Sequence, residues 1–273
     1  MTAVVGMLTV VLAGFLPHVL DSTPEPQVKY AALGDSFSAG TGSGGYDETS
    51  GNCLRSPRAY GPLWAGAHHA GAFQFLACSG ALVQDVLDEQ VPQLSPDATM
   101  VTLSAGGNDA AFVPVVARCT FGTDEDCQAI SYELQNRMRQ EFPALLRPLY
   151  RAVRERAPHA RLIVVGYPLL FDTQSECPAS LSLAKRSALD QATEMLDTVT
   201  RDAAVMEGAD FLDPRQKWGD HAVCSAQPWV NPMVLPASDS YHPNAIGQRV
   251  YLEQLEGVLN PARRADSFPV EES

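Results

Sequence analysis

Five short apolar runs recur along the chain, at roughly 28–33, 73–77, 100–104, 161–166 and 209–212, and each is continuous rather than alternating with polar residues. Continuous runs of this length fit strands buried on both faces, whereas a strand with one wet face alternates. Between them apolar positions return with helical spacing, at roughly 59–70, 82–89, 131–156, 181–206 and 243–259. Strand and helix alternate, which predicts an α/β domain whose parallel sheet is covered by helices on both sides. Stretches rich in Gly, Ser, Asp and Pro, at 41–56, 120–126, 172–178 and 214–238, read as loops, and every cysteine except Cys78 lies in or beside one. Long loops over a rigid sheet are where binding surfaces are built. There is no internal repeat.

The 273 residues suit one domain, placed at 28–260. Nineteen Lys and Arg against 32 Asp and Glu leave a formal charge of −13 at pH 7. That field repels phosphate backbones and anionic headgroups, so nucleic acid is not an expected partner. Residues 3–16 are almost unbroken apolar sequence, followed by His18, Asp21 and the polar, proline-bearing stretch 22–27. This reads as a signal-peptide leader over 1–22 and hence as a secreted chain, although no basic residue precedes the run and no clear small-x-small site stands before Asp21. The other reading is an ordinary buried helix. The run is short for a membrane span, so no stable insertion is expected once the leader is gone. Residues 261–273 read as a disordered tail.

Six cysteines, Cys53, Cys78, Cys119, Cys127, Cys177 and Cys224, form an even set without the C-x-x-C pairs usual at zinc sites. Disulfides are the better reading beside an apolar leader. Six cysteines allow fifteen full pairings. Pairing in sequence order, Cys53 with Cys78, Cys119 with Cys127 and Cys177 with Cys224, closes short loops.

Four segments carry chemistry. The first run ends in Gly34-Asp35-Ser36-Phe37-Ser38, which puts a serine just past the C-terminal edge of a strand, where open α/β sheets place their sites. It is not a G-x-S-x-G elbow, because Ser38 stands where the second glycine would be. Asp239-Ser240-Tyr241-His242-Pro243 precedes the last helical pattern. A serine hydroxyl needs a base to take its proton, a neutral imidazole suits that role, and a carboxylate three residues upstream can fold back onto the other ring nitrogen. Gly106-Gly107-Asn108-Asp109 ends the third run and Cys78-Ser79-Gly80 the second; a glycine N–H and an asparagine amide are the donors an oxyanion needs. Each segment alone has a bland meaning: a helix cap, a helix start at Pro243, or a tight turn. Among the other histidines, His68 and His69 are adjacent on a helical pattern and point apart, His159 reads as a loop residue, and His221, near Cys224, is the one rival base.

In this order and position the four segments resemble the blocks of the SGNH (GDSL-type) hydrolase superfamily: Gly-Asp-Ser, an isolated Gly, Gly-x-Asn-Asp and Asp-x-x-His. The phrases Ala-Leu-Gly-Asp-Ser-Phe-Ser-Ala-Gly and Ala-Cys-Ser-Gly-Ala are similar to the secreted actinobacterial lipase and esterase branch. The resemblance implies a flavodoxin-like three-layer α/β/α sandwich with a five-stranded parallel sheet in the order 2-1-3-4-5. It implies Ser36 as nucleophile, His242 as base and Asp239 as its orienter, with Ser36, Gly80 and Asn108 as oxyanion donors. It also implies three disulfides in sequence order. Some members of the branch use a backbone carbonyl in place of the aspartate. Phe37 replaces the motif's usual leucine, and its side chain is expected to face the core.

The implied activity is hydrolysis of a small-molecule or lipid ester by a monomer needing neither metal nor organic cofactor. An acyltransferase with the same triad, and a non-catalytic glycan- or protein-binding module on the same fold, are the alternatives. Ala110, Ala111, Phe112, Val113, Val115 and Val116 either line an acyl groove or pack a helix on the sheet, and the 172–238 span has room for a lid.

Overall fold

A computed structural model of the chain describes residues 27–174, 176–177 and 181–260. The expected leader at 1–22 and the expected disordered tail at 261–273 lie outside the described residues. Five parallel strands, β1 Lys29–Gly34, β2 Ala72–Phe75, β3 Met100–Ser104, β4 Arg161–Val165 and β5 Asp210–Leu212, form one sheet in the order β2-β1-β3-β4-β5. The continuous runs are the central strands, with β3 buried throughout and β1 and β4 exposed only at their first residue.

After β1 comes the short α1 Ser36–Ala39, then α2 Tyr60–Ala67, α3 Val83–Asp85, α4 Phe112–Phe121, α5 Asp124–Arg156, α6 Leu183–Met206, α7 Arg215–Trp218 and α8 Ala245–Leu259. Helices α2 and α8 pack together on one side of the sheet, and α5 and α6 pack together on the other. This is the expected three-layer α/β/α sandwich. Among the described residues no helix is long and apolar enough to cross a membrane.

Two loop readings are corrected. Residues 120–126 are almost wholly helical: only Gly122 and Thr123 separate α4 from α5. Thr123 caps α5 by accepting from Asp126 N at 3.1 Å, and Asp124, Glu125 and Asp126 sit in the first turn, where acids favour the helix dipole. Polarity there marked a helix start rather than a loop. Within 214–238, α7 buries Trp218 completely. The 110–116 segment leads into α4, which packs on α5.

The cysteines pair in sequence order, Cys53–Cys78, Cys119–Cys127 and Cys177–Cys224. The first joins the 41–56 loop to the segment after β2, and the second ties the last turn of α4 to the first of α5.

The C-terminal end of β1 is built around Gly34. At φ +119° it occupies backbone space closed to L side chains, and a Cβ there would lie 2.2 Å from Ser104 O. The buried Gln90 side chain satisfies both of its backbone groups, accepting from Gly34 N at 2.7 Å and donating to Gly34 O at 2.9 Å. Gln90→Leu keeps the volume but strands Gly34 N in the core, while Gly34 O keeps its hydrogen bond from Cys78 N at 2.9 Å. It is expected to lower the unfolding free energy by about 1–3 kcal/mol, read from a shift of the urea midpoint at constant slope.

Candidate active site

Asp35, directly after β1, caps α1 by accepting from Phe37 N at 3.0 Å. The same Oδ1 accepts from Ser104 Oγ at 2.6 Å, and Oδ2 accepts from Tyr167 OH at 2.5 Å. Complete burial pushes Asp35 up to about 6 even against these donors. The cap holds Ser36 at the first position of α1, 6% exposed, with its hydroxyl turned to the loop before α8. Phe37 packs edge-on against Tyr167 at 4.9 Å and beside His242 at 5.2 Å, so this side chain meets the site as well as the core.

His242 Nε2 lies 2.7 Å from Ser36 Oγ, and its Nδ1 lies 2.9 Å from Ser240 O. A carbonyl can only accept, so Nδ1 carries the proton and Nε2 presents its lone pair to the serine. Burial lowers the pKa of the ring, opposed by the Ser240 carbonyl and the Asp239 charge. The ring therefore stays neutral to lower pH than a solvated histidine.

The structure does not bring Asp239 to the ring. Its Oδ1 accepts from Tyr46 OH at 2.6 Å and from Ser238 Oγ at 3.3 Å. Asp239 and Ser240 lie at the end of a short turn, and Tyr241 takes a left-handed φ of +59°. Within this turn the contact to Nδ1 is made by the carbonyl of Ser240. Asp239 instead anchors the turn. Tyr46 OH also accepts from Gly42 N at 2.8 Å, and Asn231 Nδ2 donates to both Gly42 O and Asp239 O. Asn231 N further donates to His242 O at 2.9 Å. At Gly42, φ +90°, a Cβ would sit 2.7 Å from His242 Cβ, so the approach of the two loops requires glycine.

Gly80, φ +84°, and Asn108 reach the same edge from the ends of β2 and β3. Asn108 Nδ2 donates to Ala81 O at 2.9 Å, which fixes the amide plane, and Ser79 N donates to Cys53 O at 3.0 Å, holding the turn before Gly80. Among the described residues neither Ser36 N nor Gly80 N donates to another protein atom. Ser36, Gly80, Asn108 and His242 all line one cavity of about 580 Å³. Its walls are chiefly apolar, from Phe112, Val113, Val116, Leu170, Leu196 and Tyr241.

Residues 32–250 match the model of the GDSL-like lipase/acylhydrolase family. The chain belongs to this family. It is 38% identical to a lipase of Streptomyces rimosus over 263 residues, 96% of this chain and 97% of that one. It is also 38% identical to lipase 1 of Streptomyces coelicolor, over 84% of this chain and 86% of that one. Among solved structures it superposes on phospholipase A1 from Streptomyces albidoflavus NA297 with a TM-score of 0.82 at 36% identity, covering 85% of this chain and 99% of that chain. The extracellular lipase from Streptomyces rimosus gives the same TM-score and coverage at 37% identity. The protein is a carboxylic ester hydrolase of the GDSL type.

The rival base His221 stands outside this GDSL hydrolase's cavity, stacked on Trp229 at 3.6 Å with Nδ1 on Gln227 O. His68 stacks on Trp64 and reaches Glu256. Sequence reasoning missed the support around the site. Tyr167 opens the segment after β4, and the rule that strand ends carry function would have flagged it. Its hydroxyl joins Asp35 to Gly107 N at 3.1 Å, beside Asn108. Two buried carboxylates of α6 hold this segment: Asp197 accepts from Tyr167 N at 2.8 Å, and Asp190 from Leu170 N and Phe171 N. Burial raises Asp190 to about 7. Tyr167→Phe removes the bridge between the serine turn and the asparagine loop while keeping the ring. A fall of about tenfold in kcat at unchanged KM is expected in steady-state ester hydrolysis.

Proposed function

We propose that this hydrolase is a secreted enzyme that cleaves lipid carboxylic esters through an acyl-enzyme on Ser36. The observation that carries the reading is the 2.7 Å contact of Ser36 Oγ with His242 Nε2 in the wall of an apolar cavity. Ser36 Oγ attacks the ester carbonyl carbon while its proton passes to Nε2. The oxyanion that forms takes hydrogen bonds from Ser36 N, Gly80 N and the second amide hydrogen of Asn108. Collapse expels the alkoxide, which leaves as the alcohol with the proton from His242. Water then attacks the acyl carbon, gives its proton to Nε2, and the acid departs as Ser36 recovers its own. Ser240 O holds the tautomer and stabilises the imidazolium, so the machinery is a Ser–His pair with a carbonyl partner.

The apolar walls suit an acyl chain. The names of its relatives, lipases and a phospholipase A1, support a lipid ester. Three disulfides and an extracellular relative support secretion.

Ser36→Ala and His242→Ala are each expected to lower kcat/KM for p-nitrophenyl esters by about four orders of magnitude, and Asp239→Asn by less than about tenfold. A loss at Asp239→Asn as large as that at His242→Ala would return the orienting role to the carboxylate. The pH dependence has a definite sign. The base works only when neutral and its pKa is lowered, so kcat/KM should hold its plateau as pH falls past the ordinary imidazole value of 6.5 and bend below it. A bend above that value in a pH–rate profile would contradict the assignment.

A further inference from the structure

The cavity opens through a surface that a water-soluble domain would be expected to keep polar. Helix α4 carries one charge, Arg118, in the sequence Phe-Val-Pro-Val-Val-Ala-Arg-Cys-Thr-Phe. Its inner face buries Val115, Val116 and Cys119. Its outer face presents Val113, Ala117 and Phe121 at i, i+4 and i+8, with Val113 67% and Phe121 85% exposed. A globular surface helix puts charge on that face. The Cys119–Cys127 bond ties its last turn to α5, so the helix cannot roll the outer stripe inward.

The turn between Asn231 and Asp239, which also borders the cavity, presents Met233 and Leu235, 59% and 92% exposed. Val113, Ala117, Phe121 and Met233 line the cavity itself, so the apolar patch and the passage to Ser36 are one continuous surface. Contiguous exposed apolar patches mark contact with a partner or a membrane. The charges beside it select among lipids: Asp124, Glu125 and Asp126 form the first turn of α5, just beyond Phe121, and the chain carries −13 overall.

We infer that the outer face of α4 and the 233–235 turn dock the enzyme on an aggregate of neutral or zwitterionic lipid, setting the cavity mouth against the acyl layer. An ester then passes from lipid to Ser36 without crossing water. The inference rests on the lipid-ester reading above and adds the surface, its residues and its headgroup preference. Anchors from two separate elements fix its orientation, and their insertion buries apolar area that otherwise faces solvent.

Co-sedimentation with phosphatidylcholine vesicles tests this, using full-length Ser36→Ala so that binding is read without lipid turnover. Binding is expected, with about a tenfold loss on adding Leu235→Ser or Val113→Ser. A further loss is expected when about a third of the lipid is phosphatidylglycerol. In the active enzyme, Leu235→Ser should leave p-nitrophenyl acetate turnover unchanged and slow hydrolysis of vesicle-borne ester. Leu235 is exposed and outside the cavity, so its replacement does not threaten folding. Equal sedimentation of Ser36→Ala with and without Leu235→Ser, or tighter binding to anionic vesicles, overturns the inference. A Leu235→Ser change in size-exclusion mass without one in vesicle binding also overturns it, and assigns the patch to a second copy. Turnover of soluble ester without vesicle binding sinks docking alone, whereas Leu235-dependent binding by a wild type that hydrolyses nothing sinks the ester reading and leaves the docking surface standing.

Discussion

One buried carboxylate organises the site. Asp35 follows β1, caps the turn that presents Ser36, and accepts hydrogen bonds from Ser104 at the end of β3 and Tyr167 just after β4. Three neighbouring strand ends are thereby tied to one group. A carboxylate in a dry interior is tolerable only when its lone pairs are filled, which makes each donor necessary to the others. Ser38 extends the network, joining Ser104 to Tyr60 of α2. The serine turn is held by the sheet rather than by its own short helix, as a four-residue helix requires.

The histidine arrives by a different logic. It stands in an irregular turn before α8, and irregular backbone needs partners outside itself. Asn231, Tyr46 and Gly42 supply them, and Asn244 caps α8 immediately behind by accepting from Ile246 N and Gly247 N. With the turn so clamped, a backbone carbonyl serves to orient the imidazole. The Asp239 charge still acts on the ring, favouring the imidazolium from outside direct contact. A partner without formal charge leaves burial as the dominant influence, which is why the ring pKa moves down.

The apolar cavity and the acidic surface divide the work of recognition. The walls given by α4, α6 and the segment after β4 offer an acyl chain few polar contacts. The net charge disfavours anions in solution and at a surface. The Cys119–Cys127 bond joins the last turn of α4 to α5, beside the buried face of Val115 and Val116.

Much of this was legible in the residues alone. Continuous apolar runs alternating with helical spacing determine a parallel α/β sheet, because a strand covered on both faces has no polar side. The resemblance to a known family then supplied the strand order, the positions of Ser36, His242, Gly80 and Asn108, and the order of the disulfides, since their side chains or φ requirements are written in residue type. Helix α4 and the start of α5 were blurred because an acid-rich first turn has the composition of a loop. The orienting group of His242 was decided only by the tertiary structure. Every residue has a carbonyl, so no sequence pattern distinguishes the one at Ser240, and the clamp that aims it comes from residues near 42, 46 and 231, far apart in the chain. Tyr167, Asp190 and Asp197 escaped for the same reason: a polar side chain on a helix or strand end gains its meaning from what it is buried against, and that is settled by packing.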